Sequence, residues 1–167
     1  MFRILYPNKV AIFDVKNKFK YKDLELFSNL VSKKIQKSKA LIFLDASNSI
    51  PFLSLYYFLI KSNHTIFLVD DSLNLCAVKK LLQNYKPKYY FTNRSYKFKN
   101  TNEVLVKNIF PYKILSFKTK IEYSINKDIK ILLSTSGSLG DPKCVKLSYE
   151  NLKSNTKSII KYLKLNY

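Results

Sequence analysis

The sequence predicts an α/β fold in which a mostly parallel sheet is flanked by helices. Compact apolar runs of four or five residues alternate along the chain with longer segments that repeat apolar residues at helical spacing. One of these runs, residues 40–44, has no polar alternation, which is typical of a strand covered on both faces. The chain has 167 residues, of which 47% are apolar, so it is long enough to bury one core.

The first 35 residues predict a short hairpin followed by a helix. Strands are expected over residues 10–14 and 19–21, with a turn between them. From Asp23 onward, apolar residues recur at helical spacing as far as Ile35. Many folds contain such a segment, so by itself it favours none of them.

Residues 40–91 predict strands that alternate with helices, an order that favours a parallel sheet. The polar residues 45–49 are suited to cap the first of these helices, and Pro51 lies near its first turn, where proline is tolerated. The predicted elements are a strand at 40–44, a helix that ends near 61, a strand at 65–69, a helix at 73–85 and a strand at 88–91.

Residues 92–129 predict an irregular connection with one or two short strands. A buried strand at 129–133 and a short strand at 145–148 then enclose a polar loop. Ser148 is suited to cap a final helix that runs to about residue 164. The apolar residues expected on its buried side are Leu152, Ile159, Ile160 and Leu163. No internal repeat and no second domain are visible, so residues 1–167 are predicted to form a single domain.

The net charge of +19 suggests that the protein could bind nucleic acid, but its composition does not favour this function. Nearly all of the positive charge is lysine, and Arg3 and Arg94 are the only arginines, although arginine supplies most bidentate base contacts. Weak, salt-sensitive adhesion to polyanions is expected in any case. A non-catalytic, lysine-rich module that binds nucleic acid or anionic surfaces therefore stays the alternative hypothesis.

The cysteines and the single histidine predict no metal site. Cys76 and Cys144 are far apart and have no metal-ligand neighbours, and His64 lies in a helix–strand turn, where we expect it to be solvated and not catalytic. Both cysteines are expected to stay reduced in a cytoplasmic setting. The amino terminus does not have the pattern of a signal peptide, and the most apolar run, residues 50–60, is too short to span a bilayer.

Both glycines of the chain fall in one loop, which carries the strongest chemical signal. Gly137 and Gly140 lie within residues 134–143, STSGSLGDPK. Glycine admits positive φ, and successive backbone N–H groups in such a turn form a concave nest for an anion. The hydroxyls add donors, and Lys143, stiffened by Pro142, adds a charge suited to phosphate. The residues predict a phosphate-binding loop, although neither GxxxxGK[ST] nor GxGxxG occurs.

Residues 134–152, STSGSLGDPKCVKLSYENL, resemble the phosphate-loop signature of the adenylate-forming (AMP-binding) superfamily, roughly [ST]SG[ST]TGxPKGV followed by SHxN. This superfamily includes acyl- and aryl-CoA synthetases, peptide-synthetase adenylation domains and luciferases. Leu139 replaces a threonine and removes one hydroxyl from the phosphate cradle, whereas Cys144 and Tyr149 depart from the pattern outside the cradle. The matching residues are Thr135, Ser136, Gly137, Ser138, Gly140, Pro142, Lys143, Val145, Ser148 and Asn151.

The resemblance implies that the chain is the N-terminal portion of an ATP-dependent, acyl-adenylate-forming ligase. It implies ATP and Mg²⁺ as cofactors and a carboxylic acid as the substrate of the full enzyme. It also implies that Lys143 supplies the catalytic positive charge. The residues that would bind the nucleotide phosphates are Thr135, Ser136, Gly137, Ser138, Gly140 and Lys143, and no metal ligand is assigned.

The resemblance covers only the first part of a typical family member. The family's later motifs for adenine, ribose, metal and the mobile lysine are not found in these 167 residues. Because orientation of the reactants is a large share of such catalysis, we expect no synthetase turnover from this chain alone. We expect a single incomplete domain, which is either a truncated product or fragment, or one piece of a split enzyme completed by a second chain.

Overall fold

A seven-stranded sheet with helices on both faces forms the centre of the protein in a computed structural model, which describes residues 6–14, 18–104, 111–118, 124–134 and 144–165. A two-stranded hairpin precedes this sheet. The elements are β1 (Val10–Phe13), β2 (Lys18–Lys20), α1 (Tyr21–Ser32), β3 (Leu41–Ala46), α2 (Ile50–Lys61), β4 (Thr65–Asp70), α3 (Leu75–Tyr85), β5 (Tyr89–Thr92), β6 (Thr101–Val104), β7 (Lys113–Phe117), β8 (Ile129–Ser134), β9 (Cys144–Ser148) and α4 (Tyr149–Tyr162).

The large sheet has the strand order β6-β7-β5-β3-β4-β8-β9. Its four central strands, β5, β3, β4 and β8, run parallel, and β7, β6 and β9 add antiparallel pairs at the two sides. The register aligns Leu44 with Leu68 and Leu68 with Leu133. The carboxyl ends of the parallel strands therefore meet at one edge of the sheet.

Alternate residues of the central strands face two separate apolar clusters, as expected for a sheet covered on both faces. In β3, Ile42 and Leu44 contact the cluster that includes Leu55 of α2, whereas Leu41 and Phe43 contact the cluster that includes Val78 of α3. This arrangement explains why residues 40–44 carry no polar alternation. The predicted α/β fold with helices on both faces is confirmed, and the sheet is mixed.

Local signals in the sequence set the helix boundaries. The hydroxyl of Ser49 caps α2 by accepting a hydrogen bond from the backbone N–H of Phe52 at 3.3 Å. Asn74 caps α3, and Lys86 ends it with a left-handed φ of 45°. Ser148 caps α4, as predicted, and forms a capping box with Asn151.

Two expectations about burial were wrong. The α4 residues Ile159 and Leu163 are 47% and 56% exposed, and Leu152 and Ile160 are only partly buried. The reason is that α4 lies beside β9, at the side of the sheet, so the helix has no buried residue. His64 is buried instead of solvated, with 4% of its surface exposed.

Candidate functional site

The predicted phosphate loop connects two neighbouring strands of the sheet. Ser134, the last residue of β8, pairs with Cys144, the first residue of β9, in an antiparallel register. The chain therefore leaves and re-enters the sheet at adjacent positions, which confirms the predicted strand–loop–strand arrangement. The loop's own site residues lie outside the described residues, and their roles stay predictions: Thr135, Ser136, Gly137, Ser138, Gly140 and Lys143.

The loop starts at the edge where α/β sheets commonly bind ligands. From β3 the chain passes through α2 to β4, which is the neighbour of β3 on one side. From β4 it passes through α3 to β5, which is the neighbour of β3 on the other side. Because α2 and α3 pack in different apolar clusters, the chain turns to opposite faces after β3 and after β4. Such a switch point opens a crevice at the carboxyl ends of the strands. β8 lies next to β4, so Ser134 ends close to this crevice.

A buried carboxylate, Asp45, occupies the same edge. Asp45 is fully buried, and its two side-chain oxygens accept hydrogen bonds from the hydroxyls of Tyr90 at 2.6 Å and Thr92 at 2.5 Å. The Arg94 guanidinium Nε lies 3.2 Å from Asp45 Oδ2. Burial raises the pKa of Asp45 above its ordinary value, and the two hydroxyls and Arg94 oppose that rise. Three donors thus compensate the buried charge of Asp45, so this carboxylate is not free to act as a general base.

Arg94 joins the ends of three strands. Besides contacting Asp45 in β3, its guanidinium donates to the backbone carbonyls of Asp70, the last residue of β4, and of Leu73, which follows β4. Arg94 itself follows β5. The hydroxyl of Tyr112 donates to the backbone carbonyl of Asp45 at 2.7 Å. This Asp45–Arg94 cluster therefore orders the loops that border the crevice and acts as a positioning element.

Sequence reasoning missed this cluster. Asp45 was predicted to follow the strand and help cap α2, but β3 continues to Ala46 and Ser49 provides the cap. The signal was present in the sequence. A carboxylate that directly follows a run of buried apolar residues requires a cation or several donors, and Arg94 is one of only two arginines in the chain.

His64 lies at the opposite, amino-terminal edge of the parallel strands. Burial and, to a smaller extent, the charges of Lys130 and Lys39 together lower its pKa to about 4, and a hydrogen bond with the Gln36 backbone opposes this change. Its Nδ1 atom has no hydrogen-bond partner among the described residues. Because of these effects the His64 side chain is neutral near pH 7, so no charge on this residue has to be buried.

The described residues contain neither a candidate metal centre nor a membrane-spanning helix. No group of three His, Cys, Asp or Glu side chains in that part of the chain could hold a metal ion. None of the described helices combines the length and the hydropathy that crossing a bilayer requires.

Comparisons with known proteins support the fold. No family model matches the sequence, and no curated protein matches it either. Solved structures do match. The o-succinylbenzoate CoA synthetase MenE of Bacillus subtilis, in complex with its acyl-adenylate intermediate, has a TM-score of 0.71 at 16% identity over 97% of this chain. MatB of Rhodopseudomonas palustris has a TM-score of 0.69 at 15% identity over 98% of it.

A third match is the N-terminal subdomain of Klebsiella oxytoca NpsA, with a TM-score of 0.61 at 16% identity over 86% of this chain. All three are adenylate-forming enzymes. The chain has the fold of their N-terminal part. It spans 44% of the MenE chain, 36% of the MatB chain and 39% of the NpsA subdomain. Adenylate-forming enzymes therefore share the architecture of this chain but extend well beyond it.

Proposed function

We propose that this chain is the N-terminal part of an ATP-dependent, carboxylate-activating synthetase of the adenylate-forming superfamily, to which it contributes the ATP phosphate loop. One observation supports the proposal best. The nine residues between Ser134 and Cys144 carry the loop motif, and they connect β8 to β9 in a fold shared with adenylate-forming enzymes. The motif and the fold are independent, because the fold match rests on 16% identity.

The donor chemistry of the loop fits a triphosphate. Ser134 pairs with Cys144, so the two strands that flank the motif run antiparallel, and its two glycines suit a reversal of chain direction. In our proposal the hydroxyls of Ser136 and Ser138 and the backbone N–H groups of Gly137 and Gly140 bind the β- and γ-phosphates. Lys143 supplies positive charge that offsets the charge developing as pyrophosphate leaves.

In the same proposal, Mg²⁺ is bound by the phosphates of the nucleotide and not directly by protein side chains. Mg²⁺ prefers oxygen ligands and keeps several waters, so it is commonly held through substrate phosphates. Thr135 would contact either a phosphate oxygen or a metal-bound water. When bound, the ion would neutralise charge on the phosphates.

The reaction of the complete enzyme is the second part of the proposal. MenE structures contain AMP or an acyl-adenylate, which is the product of a carboxylate and ATP. We propose the same class of substrate for the protein that contains this chain. The remainder of the fold, on this polypeptide or on a second one, would supply the acyl pocket and the adenine contacts. The cytoplasmic location expected from the sequence belongs to the same proposal.

Isothermal titration of the chain with Mg·ATP tests the loop. Lys143→Met is expected to weaken ATP binding about 10- to 100-fold, because one charge-assisted contact is worth about 1.5–3 kcal/mol. Lys146→Met, an exposed lysine on β9, is the matched control and should leave ATP binding unchanged. Binding of heparin should be equal in both variants.

Two results would count against the proposal. If Lys143→Met and Ser136→Ala bind ATP as well as the wild type does, the loop is not a phosphate site. If ATP and heparin binding fall together in both lysine variants, the alternative of a general polyanion-binding module is favoured. Carboxylate-dependent exchange of pyrophosphate into ATP by this chain alone would overturn the expectation that it does not turn over by itself.

A further inference from the structure

A cavity of about 290 Å³ lies at the amino-terminal edge of the parallel strands. We call it the lysine pocket, because Lys39, Lys61, Lys127 and Lys130 line it. Strand β8 begins at this pocket with Ile129 and ends at the phosphate loop, and five steps of a strand span roughly 17 Å. The lysine pocket is therefore a different site from the proposed ATP phosphate loop.

Two of its ammonium groups are held in place by backbone carbonyls. Lys130 is 7% exposed, and its Nζ donates to the carbonyl oxygens of Ser62 at 2.5 Å and His64 at 3.0 Å. Lys39 Nζ donates to the carbonyls of Lys127 at 2.8 Å and Ile129 at 3.3 Å. An ammonium has three N–H donors. In the part of the chain that the structure describes, each of the two groups thus keeps one donor for another acceptor.

Protein carboxylates balance only part of the positive charge of the pocket. Lys61 is paired with Glu25, and Asp128 is the acidic residue that acts on Lys39. Lys130 forms no ion pair with any described residue. Burial and the nearby charge of Lys39 lower the pKa of Lys130 to about 8, so it is still mostly protonated at pH 7. A buried cation without a counter-charge is costly, and a bound anion would remove that cost.

The first turn of α4 also borders the pocket, although this turn carries one carboxylate, Glu150. Tyr149, the first residue of this 14-residue helix, lines the lysine pocket. The amino end of a helix carries a partial positive charge and favours anions. Fixed ammonium donors and an excess of positive charge thus meet at one cavity, beside the amino end of a helix.

We propose that the lysine pocket binds a phosphate group, with Lys39 and Lys130 as its principal donors and Lys127 at the rim. The cavity has about ten times the volume that one water occupies in the liquid, so it has room for free phosphate or for a small phosphate ester. Oxygen atoms of the anion would accept the remaining N–H of each ammonium.

The test uses the full chain carrying Lys143→Met, so that the proposed ATP loop does not contribute. Inorganic phosphate and, separately, ribose 5-phosphate are titrated at constant ionic strength, and binding is followed by phosphorus NMR. Lys39→Gln is expected to weaken binding about tenfold or more. Lys79→Gln, an exposed lysine on α3, is the matched control and should change nothing.

The two probes separate the possible sources. Binding of inorganic phosphate alone identifies free phosphate as the ligand, and tighter binding of the sugar phosphate identifies an ester. Lys130→Met is expected to abolish binding. If that variant does not fold, Lys39→Gln and Lys127→Gln still decide the question, because both side chains are more exposed. The proposal is overturned if neither probe binds, or if Lys39→Gln and Lys79→Gln bind the probes equally well, whatever the fate of the ATP loop.

Discussion

Replacing Arg94 with methionine should leave the carboxylate of Asp45 buried without its cation. Asp45 is fully buried, and the Arg94 side chain is 9% exposed, so water screens this ion pair weakly. Methionine keeps part of the aliphatic stem but has no N–H group. The substitution also removes the hydrogen bonds that Arg94 donates to the backbone carbonyls of Leu73 and Asp70.

The expected loss is about 4 kcal/mol of unfolding free energy. Removing one partner of a buried ion pair costs about 3–5 kcal/mol, because the other charge stays buried. The hydroxyls of Tyr90 and Thr92 still bind Asp45 and hold the loss below the upper limit. Domains of ordinary stability have about 5–15 kcal/mol in total, so the Arg94→Met variant should be marginal.

The loss should also depend on pH. Burial raises the pKa of Asp45 above its ordinary 3.8, and loss of the Arg94 charge raises it further. Between the ordinary and the raised pKa, the folded protein binds more protons than the unfolded chain does. Stability therefore falls as the pH rises through this window, and the penalty is complete above the raised pKa. The deficit of Arg94→Met should shrink as the solution is acidified.

Urea unfolding followed by far-UV circular dichroism measures both effects, since the chain has no tryptophan. The double variant with Arg94→Met and Asp45→Asn should recover about 2 kcal/mol or more, because it buries no lone charge. Lys80→Met, an exposed residue of α3, should change stability by less than about 0.5 kcal/mol. A loss below about 1 kcal/mol for Arg94→Met, or a double variant no more stable than the single one, would refute the reasoning.

Two further predictions concern His64 and the core. Burial and the charges of Lys130 and Lys39 lower the pKa of His64 from 6.5 to about 4. The free energy of unfolding of the wild type should therefore rise by about 3 kcal/mol as the pH rises from 4 to 6.5. In pH-dependent urea unfolding, His64→Gln should lack this contribution. Leu55→Ala, at a fully buried site, should cost about 2–5 kcal/mol in the same assay. Leu53→Ala, 42% exposed on the same helix, should cost less than 1 kcal/mol, and equal losses would contradict the described core.

Much of the fold was predictable because its signals are local. Strand and turn signals predicted the hairpin, helical spacing predicted α1, α3 and α4, and an apolar run after capping residues predicted α2. The apolar run at 40–44 predicted a strand covered on both faces. Ser148 was predicted as the cap of α4, and the cap of α2, Ser49, lies within the polar residues 45–49 that were predicted to supply it. A cap needs only a side-chain oxygen a few residues from its partner amide.

The burial of individual residues was less predictable. Ile159 and Leu163 have the spacing of a buried face, but the placement of α4 beside β9 leaves them exposed. His64 has the local context of a solvated turn, but packing at the sheet edge buries it. Periodicity shows which residues share a face and does not show what covers that face.

The sequence by itself determined the α/β class, the order of the elements and the composition of the proposed phosphate loop, since each depends on residues a few positions apart. The tertiary structure alone decided that Asp45 meets Tyr90 and Arg94, and that Lys130 reaches the carbonyls of Ser62 and His64. These contacts join residues 45 to 68 positions apart. Strand order and register bring them together, and neither is encoded in the spacing of neighbouring residues.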